Sequence, residues 1–470
     1  MRLATRDEVY RIDKAAAEEF GLNSLQLIEK AGHALAREFK KIHSQWDLPP
    51  QARIGVWCGP GNNGADGKTM ARYLKAEQNL SVEILEGNGW NPEDYALIID
   101  ALFGVGLNRP LASEFRTQIL RLNAADIKVL AVDIPSGLEA DTGNVLGAAV
   151  KAGWTLTVAP AKAGLFLNEG PRHAGKVVSV DIGFPPALLK REAWSVFLVG
   201  PASARKLLPP RSPTANKTRF GHLLVLAGAR GMEGAARMVS EAAARMGCGY
   251  VTLCSPSPRT WQEARPDFLR LDLKSFFKND LKKYSAVVVG PGLGVQPLTR
   301  RILEHLSERH AQVLVDADAL TVLSQNPALR PPPSWLLTPH AGELSRLLGI
   351  PAKELEADRL KSVAKAQTSL NTLVLFKGFR TVVGAQGKQY IVGSGNVALA
   401  KAGSGDVLAG FIGSLMAQGL SSEKAAVLGA YLHGRCADDW LRRGHSTRTL
   451  MASDLPDLID ASLRSLKKRR

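Results

Sequence analysis

The sequence lacks the features that would hold it in a membrane or cross-link it covalently. It contains no run of eighteen apolar residues, and no apolar leader segment follows its first residues. Its four cysteines, Cys58, Cys248, Cys254 and Cys436, have no metal-ligand spacing, so we expect reduced packing residues. These absences argue against a transmembrane protein and a disulfide framework, and they make the cytoplasm the expected location.

Acidic residues are also in short supply. The chain has 60 Lys and Arg against 44 Asp and Glu, a formal charge of +16. Residues 1–210 are nearly balanced, with 24 basic and 23 acidic residues, whereas residues 211–470 hold 36 and 21. Five basic residues fall within the last seven: Arg464, Lys467, Lys468, Arg469 and Arg470. No basic motif interleaved with aromatic residues accompanies them, so we do not expect nucleic-acid binding, and a basic surface equally attracts a small anionic substrate.

What the chain has is a repeated alternation of apolar runs and helical stretches. With 470 residues, 45% of them hydrophobic, two or three domains are expected. In the N-terminal half, the apolar runs 54–58, 96–99 and 129–132 end at Gly59, Asp100 and Asp133. Such continuous strands separated by helices predict a parallel sheet covered on both faces, with its ligands at the carboxyl ends of the strands. Asn63, Asp66, Asp100 and Asp133 should converge at that edge.

Two glycine-rich loops lie about 340 residues apart, at residues 59–67 and 402–410. A strand that gives way to glycines and then to a helix exposes free backbone N–H groups and the positive end of the helix dipole, which suits phosphate. Each loop also carries one aspartate, Asp66 or Asp406, which can accept a proton or hold a cation. The pattern predicts two nucleotide-handling domains in series.

The first loop does not fit the common phosphate-binding motifs well. It ends in Gly67-Lys68-Thr69, but a P-loop requires glycine where Asn62 stands. The dinucleotide pattern G-x-G-x-x-G does fit residues 59–64, although a single match is weak evidence. Next to Asp133, Ser136 offers another oxygen. Together with Asn63 and Asp100 it provides the oxygen ligands that a hard monovalent cation prefers.

Three ordered motifs, at residues 59–67, 100–109 and 133–137, resemble the NAD(P)H-hydrate epimerase domain over residues 1–205. The resemblance implies potassium at Asn63, Asp100 and Ser136, with Asp133 as the proton-transfer residue and Lys162 balancing its charge. The chain departs from the family pattern at Ala65, where glycine is usual. The residues that the resemblance assigns to the hydrated dinucleotide are Asn62, Asn63, Gly64, Ala65, Asp66, Gly104, Val105, Gly106, Leu107, Asn108, Arg109 and Pro110, together with Asp133.

The segment 209–213, Pro-Pro-Arg-Ser-Pro, stops regular structure and predicts a linker at residues 209–216 between domains 1–208 and 217–470. A second strand and helix alternation follows it. Gly403-Ser404-Gly405-Asp406 introduces an apolar helical run, which is the layout of an anion hole beside a base. At this level the turn resembles that of ribokinase-like enzymes, in which the aspartate is the base on an acceptor hydroxyl.

Six ordered motifs over residues 211–465 narrow the resemblance to the ADP-dependent NAD(P)H-hydrate dehydratase family. They contain Lys217, the glycines at 290–294, and residues 316–320, 337–344, 377–378 and 402–410. The resemblance implies that Ala235, Gly292 and His340 contact the hydrate and that Asp406 also reaches it. The residues it gives to the nucleotide are Lys377, Gly378, Phe379, Arg380, Thr381 and Gly405, and we add Gly403 and Ser404 as amides of the anion hole. Asn216 and the triplet 396–398 depart from the family pattern, which has His and Asn-Pro-Gly there.

The resulting hypothesis is a Rossmann-like parallel-sheet domain followed by a ribokinase-like α/β domain. The first is expected to interconvert the R and S hydrates of NADH and NADPH, and the second to dehydrate the S form. Expected cofactors are K⁺ in the first domain and Mg²⁺ in the second, with ADP as co-substrate, and we expect a homo-oligomer. Two alternatives remain: a kinase acting on another small molecule, and an inactive N-terminal nucleotide-binding or RNA-binding module.

Overall fold

The computed structural model describes residues 1–46, 48, 52–78, 80–262, 265–278 and 280–467. The last three residues of the basic C-terminal segment lie outside this part of the chain. The structure divides into two compact units, one of residues 2–197 and one of residues 198–470 with Met1. This division falls before the predicted linker, and residues 208–216 contain no helix or strand. Within the described residues, no helix is both long and apolar enough to cross a bilayer. All four cysteines are free, and three of them are buried.

The N-terminal unit is built on a six-stranded sheet. Its elements are β1 (Arg2–Ala4), α1 (Arg6–Phe20), α2 (Ser24–His43), β2 (Ile54–Cys58), α3 (Asn62–Gln78), β3 (Val82–Leu85), β4 (Leu97–Ala101), α4 (Ser113–Ala124), β5 (Lys128–Val132), β6 (Trp154–Val158), β7 (Ala161–Lys162), α5 (Gly170–Ala174), β8 (Lys176–Val180) and α6 (Pro186–Arg191), and β9 (Val196–Val199) crosses the division. The sheet order is β3-β2-β4-β5-β6-β8, and all neighbouring strands are parallel. The predicted parallel sheet is therefore confirmed.

Both faces of this sheet are covered, as the continuous apolar runs predicted. Ile54, Val56 and Cys58 of β2 belong to one buried cluster, whereas Trp57 belongs to the cluster on the other face. The crossover from β2 leads outward to β3, whereas the later crossovers lead the other way, from β4 towards β8. The switch point therefore lies between β2 and β4, where open α/β sheets bind ligands outside the carboxyl ends of their strands. The first glycine loop follows β2 and the loop 102–112 follows β4, so both lie at this point.

The C-terminal unit has a longer sheet, which is also built mainly from parallel strands that alternate with helices. Its elements are α7 (Pro201–Leu207), β10 (His222–Leu226), α8 (Glu233–Met246), β11 (Tyr250–Cys254), α9 (Pro258–Gln262), β12 (Leu269–Leu271), α10 (Leu273–Lys278), β13 (Ala286–Val289), α11 (Pro297–Ser307), β14 (Val313–Val315), α12 (Asp318–Gln325), β15 (Leu336–Leu337), α13 (Ala341–Leu348), α14 (Ala352–Ala357), α15 (Arg359–Leu370), β16 (Leu373–Phe376), β17 (Val382–Ala385), β18 (Lys388–Val392), α16 (Ser404–Ala417), α17 (Ser422–Arg442) and α18 (Leu455–Leu466). Strands run in the order β12-β11-β10-β13-β14-β15-β16-β17-β18.

The first seven strands of this order are parallel, and β17 and β18 add an antiparallel hairpin at the end. The direction of crossover reverses between β10 and β13, so this switch point is lined by the loops that follow those two strands. Helix α16, which carries the second glycine turn, packs with α8 in a large buried cluster of this unit. Its buried face includes Val407, Phe411 and Ile412, which fixes the turn at its start.

Candidate active sites

The N-terminal unit contains a cavity of about 1010 Å³ at its ligand-binding edge. Helices α1 and α2 form one wall, and the loops after β2, β4, β5 and β6 form the other. The predicted residues brought together here are Asn62, Asn63, Asp66, the whole loop Gly104–Pro110, Asp133 and Lys162. Gly64 and Ala65 do not line the cavity. Gly64 has a packing role instead, since a Cβ there would lie 1.8 Å from the carbonyl oxygen of Gly59.

Asp133 and Lys162 form a buried ion pair at the floor of this cavity. The Lys162 ammonium donates to Asp133 Oδ1 at 2.5 Å and to the carbonyl of Val158 at 2.9 Å. The Val158 amide and the Thr157 hydroxyl donate to the same Oδ1, at 3.1 and 3.3 Å. Asp133 also has a left-handed backbone, with φ of 64°, which is costly for a non-glycine residue. Three donors, from Lys162, Val158 and Thr157, thus hold Asp133 by one of its oxygens.

Two more carboxyl groups, Asp66 and Asp13, face the same cavity. Burial raises the pKa of Asp66 to about 8, and the negative charges of Asp133 and Asp13 reinforce the shift against Lys162. Burial likewise raises the pKa of Asp13. The sequence predicted Asp66 but missed Asp13, because α1 carries no motif and only the tertiary fold brings it to the loops.

Of the residues predicted for potassium, Asn63 lines the cavity, whereas Asp100 and Ser136 are buried and bonded to the loop that follows β4. Ser136 donates through its hydroxyl to Asp100 Oδ1 at 2.6 Å and through its amide to Oδ2 at 2.8 Å, while the Phe103 amide donates to Ser136 Oγ at 2.8 Å. Asn63 Nδ2 donates to the Phe103 carbonyl at 3.0 Å, which leaves Asn63 Oδ1 buried with no hydrogen-bond partner. Burial raises the pKa of Asp100 to about 6. An orphaned buried oxygen beside a buried carboxyl fits a hard cation.

In the C-terminal unit, the Lys377 ammonium lies close to acidic side chains from two other segments of the chain. Lys377 follows β16 directly, and its ammonium lies 2.6 Å from Asp316 Oδ1 and 3.6 Å from Glu343 Oε2. Burial opposes its charge, but the two carboxylates raise the pKa of Lys377. A Cβ on Gly405 would lie 3.7 Å from the ammonium and 3.9 Å from Asp316 Oδ2, so the second glycine turn reaches this cluster. The sequence assigned no role to Asp316 or Glu343.

Asp406 lies in the first turn of α16, after Gly403 with its left-handed φ of 85°. Burial raises the pKa of Asp406 to about 7, and the charges of Asp316 and Asp318 add to the shift while Lys377 opposes it. Ser404 is within hydrogen-bond distance of His433, 3.2 Å from its Nε2. The turn therefore combines helix-start amides with a carboxyl that protonates near neutral pH.

The predicted hydrate residues come from the first turn of α8, the loop after β13 and the start of α13. Gly292 and Ala235 are adjacent, because a Cβ on Gly292 would lie 3.0 Å from that of Ala235. His340 caps α13: its Nδ1 accepts from the amides of Gly342 and Glu343, at 3.0 and 3.3 Å. Its side chain is 56% exposed, so the imidazole remains open to a ligand.

The predicted nucleotide loop, residues 377–381, is supported by a residue that the sequence missed. Arg359 is buried and donates to the carbonyls of Phe376 and Lys377, at 2.8 and 3.1 Å. Its guanidinium carbon lies 4.0 Å from the centroid of the Phe376 ring. Gly378 must be small here, since a Cβ would lie 2.9 Å from Arg359 Nη1. Phe379 is 51% exposed, which leaves an apolar surface on the loop.

Known proteins match both units. The family described as NAD(P)H-hydrate dehydratase matches residues 223–460, and the family described as YjeF-related protein N-terminus matches residues 24–93 and 78–164. A bifunctional NAD(P)H-hydrate repair enzyme of Moorella thermoacetica is 33% identical over 520 residues, covering 100% of this chain and 98% of that protein. This chain belongs to the bifunctional NAD(P)H-hydrate repair enzyme family. The Escherichia coli member is 34% identical and covers 96% of this chain and 91% of its own length. The family membership predicted from the motifs is thus confirmed.

Solved structures support the C-terminal fold. An ADP/ATP-dependent NAD(P)H-hydrate dehydratase from Bacillus subtilis, co-crystallised with ATP and Mg²⁺, is 30% identical with a TM-score of 0.53. It covers 58% of this chain and 100% of its own. A ribokinase-like protein from Enterococcus faecalis, 22% identical with a TM-score of 0.53, shares the fold. The predicted ribokinase-like domain is confirmed by these neighbours.

Proposed function

We propose that this chain repairs hydrated NADH and NADPH, interconverting the R and S hydrates in its N-terminal unit and dehydrating the S hydrate in its C-terminal unit. The observation that carries the proposal is the full-length match to bifunctional repair enzymes on a chain with two separate carboxyl-and-lysine sites. Each site lies at the ligand-binding edge of its own sheet. Both epimers are then recovered by one polypeptide.

For epimerisation, Asp133 is the proposed proton-transfer residue. Lys162 holds one of its oxygens in place and keeps a positive charge beside it. The loop 104–110 and the first turn of α3 bind the dinucleotide across the rest of the cavity. K⁺ at Asn63, Asp100 and Ser136 would offset the buried negative charge and order the loop that follows β4. Positioned proton transfer of this kind contributes about 10²–10⁴ in rate.

For dehydration, we propose that Asp406 accepts the proton of the ring hydroxyl as ADP transfers its terminal phosphoryl group to that oxygen. The amides of residues 403–405 then stabilise the charge on the transferred group. Loss of the phosphorylated oxygen as phosphate, with loss of a proton from the neighbouring ring carbon, restores the dihydropyridine and leaves AMP. Lys377 and the loop to Thr381 hold the nucleotide.

Mg²⁺ fits this site as a companion of the nucleotide. No group of three His, Cys, Asp or Glu side chains that would hold a metal is present among the residues the structure describes. Mg²⁺ commonly keeps waters and binds through one or two carboxylates and substrate phosphates, which such a site allows. Asp406 interacts electrostatically with Lys377 and Asp318, and no ion pair to Lys377 occupies it among the described residues.

Purified full-length protein incubated with mixed hydrates and either ADP or ATP tests the proposal. Recovery of dihydropyridine absorbance, with AMP and phosphate as products of ADP, is the expected result. A stable phosphorylated product, or phosphorylation of hydroxymethylpyrimidine by ATP without hydrate repair, would instead indicate a small-molecule kinase. The cytoplasmic location and the homo-oligomer remain predictions, the second of which light scattering measures.

A further inference from the structure

The N-terminal cavity contains two carboxyl groups with unused oxygens. All three hydrogen bonds to the Asp133 side chain go to Oδ1, and no donor contacts its Oδ2 among the residues that the structure describes. The Asp66 side chain lines the same cavity, and it has neither a hydrogen bond nor an ion pair to another described residue. Asp66 comes from the start of α3 and Asp133 from the end of β5, so two different elements present them to one ligand.

Their surroundings set the two groups apart. Asp133 shares its charge with the Lys162 ammonium at 2.5 Å, which stabilises the carboxylate. Asp66 has no cation in contact, and its neighbours Asp133 and Asp13 are both acidic. With its pKa raised to about 8 by burial and by those charges, Asp66 is mostly protonated at neutral pH. A buried carboxyl group that keeps its proton, next to a second carboxyl group held by an ammonium, is suited to acid and base roles.

This division matches what inversion of the hydrate requires. The hydroxyl sits on the ring carbon next to the ring nitrogen, so inversion must remove an oxygen from one face of that carbon and deliver one to the other, unless the ring itself opens. We propose that Asp66 and Asp133 form an acid and base pair that replaces the ring hydroxyl with a solvent water from the opposite face. This inference rests on the proposed epimerisation and adds a second catalytic residue and a route.

The Asp66 carboxylic acid gives its proton to the hydroxyl, the carbon–oxygen bond breaks, and water leaves as the nitrogen lone pair forms a carbon–nitrogen double bond. A second water attacks that carbon from the other face and forms the new carbon–oxygen bond, the carbon–nitrogen double-bond electrons return to nitrogen as its lone pair, and the proton of the water passes to the Asp133 carboxylate. Exchange of one proton between the two carboxyl groups and solvent resets the enzyme. The reverse inversion uses the same groups with their roles exchanged.

An isotope-labelling experiment on the full-length wild-type protein tests this route. ADP and ATP are left out, so that dehydration does not consume the product. Pure S hydrate is incubated in water enriched in the heavy oxygen isotope, and the R hydrate formed is analysed by mass spectrometry at early times. We expect one solvent oxygen in each newly formed R molecule, above the slow background of a sample without enzyme. In heavy-hydrogen water, the neighbouring ring carbon should take up no deuterium.

Inversion with the original oxygen retained would overturn the acid and base pair and indicate ring opening at the carbon–nitrogen bond. Deuterium on the neighbouring carbon would also overturn it, since that result requires passage through the fully dehydrated ring. If the wild type does not interconvert the hydrates at all, the proposed function fails instead, so the two failures are distinguishable.

Variants assign the roles. Asp66→Asn should lower the epimerisation rate by about 10²–10⁴, because the amide cannot protonate the leaving hydroxyl. ADP-dependent dehydration of S hydrate by the same sample and an unchanged melting curve control for folding. Asp66→Asn with near wild-type epimerisation would overturn the role of Asp66.

The pH profile gives a readout that a structural role of Asp66 would not move. Because Asp66 must be protonated, wild-type epimerisation of S hydrate should fall as pH rises through about 8. Asp13→Asn removes one of the negative charges that raise this pKa, so its alkaline limb should move to lower pH. Asp126→Asn, an exposed control, should leave the limb in place. An Asp13→Asn limb that does not move, or moves to higher pH, would contradict the assignment.

Discussion

The two units solve a similar chemical problem with similar parts but different surroundings. In each, a lysine that follows or ends a strand pairs with a buried carboxylate, Lys162 with Asp133 and Lys377 with Asp316. Each also keeps a second carboxyl group that burial holds partly protonated near neutral pH. The proposed proton-transfer residue is the paired acid in the first unit and the unpaired Asp406 in the second. A shared arrangement therefore does not assign a shared role.

The difference follows from what surrounds each carboxyl group. Asp406 lies in the first turn of α16, which follows Gly403 with its φ of 85°, so helix-start amides lie beside it and a transferred phosphoryl group can be held there. Asp133 directly follows β5, close to the candidate potassium residues Asp100 and Ser136. No helix starts at Asp133. The first site thus suits proton movement on a bound ring, and the second suits group transfer.

The largest effect should come from a substitution of Asp406 that removes one activity and leaves the other intact. Asp406→Asn removes the base on the ring hydroxyl, so ADP-dependent dehydration should fall by about 10²–10⁴ while R and S hydrates still interconvert. Dihydropyridine absorbance measures the first activity and chromatography of the epimers the second. Asp460→Asn, at an exposed ion pair of α18, is the matched control and should retain both activities. Loss of both activities in a folded Asp406→Asn protein would show that the sites are not independent.

Asp133→Asn is the converse change. It removes the proposed proton-transfer residue and leaves Lys162 without its buried partner, so epimerisation should fall by about 10²–10⁴. With excess ADP, the S hydrate in a mixed sample should be consumed and the R hydrate should persist beyond its spontaneous conversion. Asp126→Asn serves as the control. Continued rapid consumption of R hydrate would place the proton-transfer residue elsewhere.

The two glycine loops should differ in how they tolerate a methyl group. At Gly64 the Cβ would lie 1.8 Å from the Gly59 carbonyl, so the backbone must move, at a cost of about 1–3 kcal/mol together with loss of epimerisation. At Gly403 it would meet the flexible Met238 side chain at 2.5 Å and adds a left-handed strain of about 1–2 kcal/mol. Gly403→Ala should therefore lower dehydration less than Gly64→Ala lowers epimerisation.

Two controls make this comparison quantitative. Gly444→Ala carries nearly the same φ, 84°, in open space, so its effect on the melting temperature measures left-handed strain alone. Gly89→Ala is open and without positive φ, and it should match the wild type. Equal losses of activity in Gly64→Ala and Gly403→Ala would mean that the Gly59 backbone moves away from the added methyl group as easily as the Met238 side chain does.

The contrast between what the sequence predicted and what it missed follows the range of the interactions. The glycine loops, the strand-end acids and the parallel sheets are read from neighbouring residues, because local periodicity and backbone needs determine them. Asp13, Arg359 and Glu343 gained their roles only when helices packed against loops distant in sequence. Arg359 in particular is a charged residue in a helix with no motif around it, and its burial against the carbonyls after β16 depends on tertiary packing.

The last contrast concerns the pH dependence of stability, through the buried His433 next to Ser404 of the second glycine turn. Burial, together with the Lys377 charge and against the contact with Ser404, lowers the pKa of His433 to about 4. The folded state therefore excludes a proton that the unfolded chain binds below about 6.5, so stability is lost as pH falls from about 6.5 towards 4. The loss is on the order of 3 kcal/mol at most.

His433→Gln keeps a polar group for Ser404 but cannot titrate, so it should lose less stability than the wild type over the same pH range. Calorimetry at several pH values measures the difference, and the unfolding transition of the C-terminal unit should carry it, because the histidine is buried there. Parallel pH dependence in the two proteins would mean that the wild-type histidine is already protonated in the folded state. A charged imidazole beside the glycine turn would then add to the positive charge that Lys377 supplies to the site.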